Sequence, residues 1–328
     1  MKLPRRKFLH LAASAAALPA APRIARAQAY PTRPIRIVVG LAASSSPDIT
    51  ARLMGQQLSK GLGQQFIIEN RPGAGTNIGI EAVVRAPPDG YTLLWITPSS
   101  AINPTLYDKL NFNFLRDIAP VASVVRLPNV MVVNPSMQAS TVPEFIVYAK
   151  ANPGKINMGS ATIGGTDHVT GELFKMMTGV DIVHVPYRGG GASLYSDLLA
   201  GQIQVSFPVT ASSIGYIKSG KLRALGVTTA SRWEGLPDIP TIGEFVPGYE
   251  ASSWHGLGAP KNTPTEIVDK LNKEVNAALA DPSMKARLAD LGGTPLAGSP
   301  ADFGKLIADE TEKWGKVIRA ANIKAKAE

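Results

Sequence analysis

The sequence predicts an α/β protein built as two lobes, and three observations carry that prediction. Short β-branched runs alternate with amphipathic stretches, which argues for parallel sheets with helices on both faces. The alternation falls into two sets, separated near "VASVVRLPNVMVVNP". The chain has 328 residues, enough after a short leader for two bodies of ordinary domain size.

The leader comes first. Residues 1–29 hold Lys2, Arg5, Arg6, Lys7, Arg23 and Arg26 and no acidic residue. "PRRKFLH" reads as a twin-arginine start, "LAASAAALPAA" as a short apolar core, and "ARAQA" offers cleavage after Ala27 or Ala29. The formal charge of +9 is therefore concentrated at one end. A nucleic-acid partner needs a basic patch on the folded part, and none is evident. No later run has the roughly 18 uninterrupted apolar residues of a membrane span. The absence of cysteine fits an oxidising compartment outside the cytoplasm.

The first strand is Ile35 to Val39, a β-branched run. Pro47 opens a helix over 47–61, with Ile49, Leu53 and Leu58 on one face. "QFIIEN" precedes a helix over 77–86, and "YTLLWI" follows the turn Asp89-Gly90. In the second set, "KINMGS" leads to a helix over 166–178. "VDIVHV" leads to one over 190–200, "IQVSF" to one over 209–219, and "LRALGVT" follows. "ASSWHGLGAP" reads as a further strand, and 264–321 as almost wholly helical. In that stretch Ile267, Leu271, Val275 and Leu279 recur every fourth residue. Capping boxes are expected at Thr141/Glu144, Thr263/Glu266 and, with aspartate, Ser299/Asp302.

Five loops between strands and helices are built from small residues: 42–46, 71–79, 97–100, 160–168 and 186–191. Small residues let backbone N–H groups approach an anion, and Ser and Thr add hydroxyl donors. Such loops lie where open α/β sheets bind ligands. The competing explanation is a tight turn that needs glycine for its dihedrals. Catalytic readings are thin. His168, His184 and His255, the histidines beyond the leader, match no zinc spacing, and there is no G-x-S-x-G elbow. His184 alternates with Val183 and Val185 and reads as packed. His168, in the first turn of a helix, either donates to a bound anion or satisfies a neighbouring carbonyl. One enzyme reading is an exported dinucleotide-dependent oxidoreductase using Gly73, Gly75 and Gly79. Against it, Asn70-Arg71-Pro72 separates those glycines from the strand.

An ordered series of longer segments carries a resemblance. It includes "YPTRPIRIVV", "IIENRPGAGTNIG", "APPDGYTLL", "AINPTLY", "GELFKMMTGVDIVHVPYRGGG", "IKSGKLRALGVTT", "LPDIPTIGE" and "GYEASSWHGLGAPKNTP". Over 30–328 the chain resembles the periplasmic receptors of tripartite tricarboxylate transporters, the Bug proteins. The resemblance implies a two-lobed periplasmic binding protein that closes like a flytrap on a ligand in the cleft between lobes, with no catalysis and no cofactor. Lobe one would take 30–125 plus 253–328, and lobe two 126–252. The implied partners are a small carboxylate, of the di- or tricarboxylate or aromatic kind, and the transporter's membrane subunits, with the receptor a monomer. The resemblance places the ligand's carboxylate between Ala43, Ser44, Ser45 and Ser46 on one side and Thr162, Gly164, Gly165, Thr166 and His168 on the other. Thr97, Ser99, Tyr187 and Arg188 fall where it expects cleft walls.

The chain departs from the pattern twice. Its first loop reads "GLAASSSPD" where the family has a Pro- and Gly-rich run, so serine hydroxyls replace glycine hydrogens. Pro208 stands where an aspartate is common. Both changes favour an unsubstituted carboxylate, aromatic ones included, over an amino acid.

Overall fold

The computed structural model describes residues 30–187 and 191–325. The leader with its twin arginines and cleavage sites, and Arg188, lie outside the described residues.

Two sheets form, and both are mixed. In the first, β1 (Ile35–Val39) lies between β2 (Phe66–Asn70) and β3 (Thr92–Ile96), all parallel. Beyond β3 the order continues with β10 (Ser252–Pro260), β4 (Ile118–Pro128) and β11 (Thr294–Pro295). Each of these runs antiparallel to its neighbours. The second sheet has β7 (Val183–Pro186), β6 (Asn157–Ser160) and β8 (Val205–Ser206) in parallel, then β5 (Val130–Val133) and β9 (Arg223–Val227) joined by antiparallel pairings. The expected parallel pairing holds for β1–β3 and β6–β8, and antiparallel strands extend each sheet. Two long strands, β4 and β10, carry the chain out of the first sheet and back, and strands that leave and return must run in opposite directions.

The helices sit close to where their apolar spacing put them. They are α1 (Ser46–Leu62), α2 (Asn77–Val84), α3 (Pro98–Leu106), α4 (Phe114–Asp117), α5 (Val142–Ala151), α6 (Thr166–Thr178), α7 (Gly191–Leu199) and α8 (Thr210–Lys218). Then come α9 (Thr265–Ala280), α10 (Pro282–Asp290) and α11 (Pro300–Ala320). In α1 the buried stripe runs through Ala51, Leu53, Met54 and Leu58, and Ile49 points out, 40 % exposed. In α9, Leu271, Val275 and Leu279 are buried as expected.

The caps divide. Ser299 and Asp302 form the full box. Thr141 accepts from the Glu144 N–H, but the Glu144 carboxylate turns to the Ser140 N–H. The Thr263/Glu266 box does not form. The Thr263 hydroxyl donates back to Pro260 O at 2.7 Å, and Pro264 takes the cap position. A box unseen in the sequence forms at Thr241/Glu244.

The core is continuous between the sheets around α11. Trp314, Val317 and Ile318 of α11 pack with Ile102 and Leu106 of α3 and with Val169, Leu173 and Phe174 of α6. Glu310 of α11, buried, accepts from both Trp254 Nε1 (3.2 Å) and Trp314 Nε1 (2.7 Å), which ties the last helix to β10. Among the described residues no helix is long and apolar enough to cross a membrane.

Candidate functional site

Parallel strands deliver the following helices to one edge of each sheet, N-termini first. A cleft of about 290 Å³ opens there. Its wall contains first-turn or capping residues of five helices: Ser46 and Pro47 of α1, Thr97, Pro98 and Ser99 at α3, Gly165 and Thr166 at α6, Gly191 of α7 and Val209 at α8. The first N–H groups of a helix lack intrahelical partners, and the aligned peptide dipoles put about half a positive charge at that end. Among the described residues no lysine or arginine lines this cleft. Partial positive charge there comes from the helix ends, and the side-chain polar surface is largely hydroxyl, with the Asp167 carboxylate and His255 beside it.

The sequence-predicted residues divide sharply. Ser46, Thr97, Ser99, Thr162, Gly165, Thr166 and Pro208 line the cleft. Ala43, Ser44 and Ser45 are not in its wall, because the first loop is folded around Asp48 instead. Ser44 takes a left-handed conformation (φ 65°) and donates its N–H to Asp48 Oδ2 at 2.8 Å. Ser45 spends its hydroxyl on Ala42 O at 2.7 Å. Asp48, 2 % exposed, also accepts from Arg52 Nε (3.0 Å) and Asn70 Nδ2 (2.9 Å). Burial alone would raise its pKa, but the Arg52, Ser44 and Asn70 hydrogen bonds outweigh that and hold it below the usual carboxylate value.

The opposite loop is braced from behind. Gly164, at φ 73°, sends its N–H to His168 Nδ1 at 3.0 Å, and neither residue is in the cleft wall. His168 is 3 % exposed and stacks on His184 with centroids 3.6 Å apart. His184 Nε2 lies 2.6 Å from Ser160 Oγ. Burial lowers both imidazoles, to about 3 for His168 and about 4 for His184, with the neighbouring charges adding to it. His168 thus accepts a backbone N–H through Nδ1, behind the cleft wall. Tyr187 turns its hydroxyl to Asp197 Oδ2 at 2.6 Å and stays out of the wall.

Gly73, Gly75 and Gly79 have a structural account. Gly73 (φ 129°) and Gly75 (φ 60°) shape a turn, and a Cβ on Gly79 would lie 2.9 Å from Gly40 Cα. The glycines let α2 pack against the end of β1, and Gly75 also lines the cleft.

The residue reading missed six polar lining groups: Thr76, Asp167, Tyr195, Ser212, Ser253 and His255. Asp167 accepts from the Ala161 and His168 N–H groups, and desolvation pushes it up to about 6 against those bonds. Tyr195, with Ser212 Oγ 2.8 Å from its hydroxyl, is raised well above its usual range, chiefly by burial. Ser253 and His255 are alternate residues of β10, so both face the cleft. That period of two was legible in "SSWHG" once the strand was known to border a cleft. No group of three or more potential metal ligands occurs among the described residues.

With this geometry fixed, comparison with known proteins is direct. The family model "Tripartite tricarboxylate transporter family receptor" matches residues 50–323. Protein BugT of Bordetella pertussis is 34 % identical over 303 residues, covering 92 % of this chain and 93 % of the relative. A solved R. palustris protein with adipate superposes with a TM-score of 0.82 at 38 % identity, covering 90 % of this chain and 100 % of that one. MatC from Rhodopseudomonas palustris with bound malate gives 0.77 at 29 % identity, over 88 % of this chain and 100 % of that one. A match of this length, on a two-lobed α/β fold with helix N-termini turned into its cleft, leaves one conclusion: the chain belongs to the tripartite tricarboxylate transporter receptor family, whose members are solute-binding receptors and not enzymes.

Proposed function

We propose that the protein captures a small di- or tricarboxylate in the periplasm and delivers it to a membrane transporter of the tripartite tricarboxylate type. The observation that carries this is the convergence of five helix N-termini on a cleft whose described wall holds no cationic side chain. Such a wall suits an anion small enough to meet several N–H groups at once, and a carboxylate accepts up to about four hydrogen bonds. The adipate and malate bound to the two R. palustris proteins support the ligand class.

The leader is read as an export signal removed after Ala27 or Ala29, and the mature receptor as a monomer. Lobe one takes 30–125 with 253–328, and lobe two 126–252. The sheet topology supports this division, because the chain crosses to the second sheet through β4 and returns through β10. The hinge then lies in those two strands. The ligand carboxylate sits between Ser46, Thr97 and Ser99 on one lobe and Thr162, Gly165 and Thr166 on the other, with Pro208 at the wall. Contact with both lobes favours the closed state over the open one.

Isothermal calorimetry of the mature protein against a panel of mono-, di- and tricarboxylates, adipate and malate included, tests the reading. At least one acid is expected to bind with a dissociation constant in the micromolar range or tighter. Binding of none of them, with the protein shown folded by circular dichroism, sinks the proposal.

A further inference from the structure

One buried group in the cleft has a free coordination site that the carboxylate reading leaves unused. His255, on β10, is 2 % exposed and lines the cleft. A register shift between His255 and Gly256 re-aims the strand there. Nδ1 lies 2.9 Å from Thr50 Oγ1. The Thr50 hydroxyl also lies 2.9 Å from Ser46 O and 3.1 Å from Pro47 O. A hydroxyl has one hydrogen, and carbonyls only accept. With that hydrogen directed to the helix carbonyls, the Thr50 oxygen is left to accept, and Nδ1 must donate. A neutral imidazole carries one N–H, so Nε2 then holds a lone pair. Burial keeps the ring neutral, lowering its pKa to about 3. Nε2 has no hydrogen-bond partner among the described residues.

The rest of the polar wall is backbone N–H groups, which only donate, and hydroxyls, which donate or accept. The Asp167 carboxylate, also in the wall, accepts from Ala161 N–H through Oδ2 and from His168 N–H through Oδ1, and keeps further lone pairs. A buried acceptor that meets no donor on the ligand is unfavourable. A neutral donor suits it, because the neutral imidazole itself brings no negative charge to offset an ammonium.

Resting on the carboxylate reading, we propose that His255 is a specificity-determining residue, whose Nε2 accepts a hydrogen bond from a hydroxyl of the ligand, so that the receptor prefers hydroxylated carboxylic acids to their unsubstituted parents. This replaces the expectation of an unsubstituted acid. Pro208 removes a charged acceptor and disfavours amines. His255 supplies a neutral acceptor and favours alcohols.

The test uses matched pairs in calorimetry on the mature protein: succinate with malate, glutarate with 2-hydroxyglutarate, and benzoate with its hydroxy derivatives. In the wild type the hydroxylated member of a bound pair is expected to bind about three- to tenfold more tightly, the range of one neutral hydrogen bond. His255→Phe should bring the pair to within about twofold, and His255→Gln, which retains an acceptor oxygen, should restore part of the preference. Nitrogen NMR of histidine-labelled wild type reads the tautomer directly and does not depend on the variants folding. A protonated Nε2, or equal affinity within every bound pair, overturns the inference while leaving the carboxylate reading intact. Failure of every acid to bind overturns both.

Discussion

Thr166 begins α6 and lines the cleft, half-buried, so its side chain can change without disturbing a core. Thr166→Glu puts a negative charge against the ligand carboxylate. It is expected to abolish the ligand-induced thermal shift while the melting temperature of the free protein moves by less than a few degrees, which differential scanning fluorimetry reads. The histidines make a second residue-scale prediction. His168 and His255 are held neutral by burial, both lowered to about 3 from an ordinary 6.5. Below pH 6.5 the unfolded chain therefore binds protons that the folded chain refuses. Their contribution to stability is complete above that pH and falls as pH drops towards 3, by roughly 1.4 kcal/mol per pH unit for each histidine. Asp167, raised to about 6, acts in the opposite direction, and one group offsets only part of two. Urea unfolding at pH 7.5 and pH 5 should show a clear loss at the lower pH. A flat profile contradicts the buried neutral imidazoles.

Among the elements, α11 does the most joining. Its apolar face enters a core shared by α3 and α6, and Glu310 serves two indole N–H groups from different elements. Glu310→Ala leaves both donors unpaired in a dry interior, where each orphan costs about 1–3 kcal/mol. A loss of about 2–4 kcal/mol in urea unfolding is expected, with Glu310→Gln intermediate because one acceptor oxygen remains. The first loop shows the same logic at its own element. Stripped of side chains, it reads as a ligand cradle in the sequence. In the fold its serines turn inward on their own backbone and on Asp48, and Ser46 alone of the four predicted residues there reaches the cleft.

For the whole molecule, capture and closure are one equilibrium. A ligand at 100 times its dissociation constant is expected to raise unfolding free energy by about 2.7 kcal/mol. If the ligand touches both lobes as proposed, the same saturation should shrink the radius of gyration in small-angle X-ray scattering. Stabilisation with no change in scattering would mean that binding does not close the lobes.

The sequence by itself determined the local architecture. Strand runs such as Ile35 to Val39, helix starts at Pro47 and Thr166, and the buried stripe of α9 depend on short-range sterics and on periodicity, and both are written in neighbouring residues. It also determined the family, because long ordered segments are specific where single motifs are not. Tertiary structure alone decided three further matters. It made the sheets mixed, since the direction of β4 and β10 depends on where the chain crosses and not on their composition. It decided which small loops face the cleft, since Ser45 and Ser46 are chemically alike and differ only in what their neighbours leave free. It brought His255 to Thr50 across 205 positions of sequence, fixing a ring whose chemistry depends on the partner of each nitrogen. Contacts between distant residues have no local signature, so the surroundings of His255 were not legible until the chain was folded.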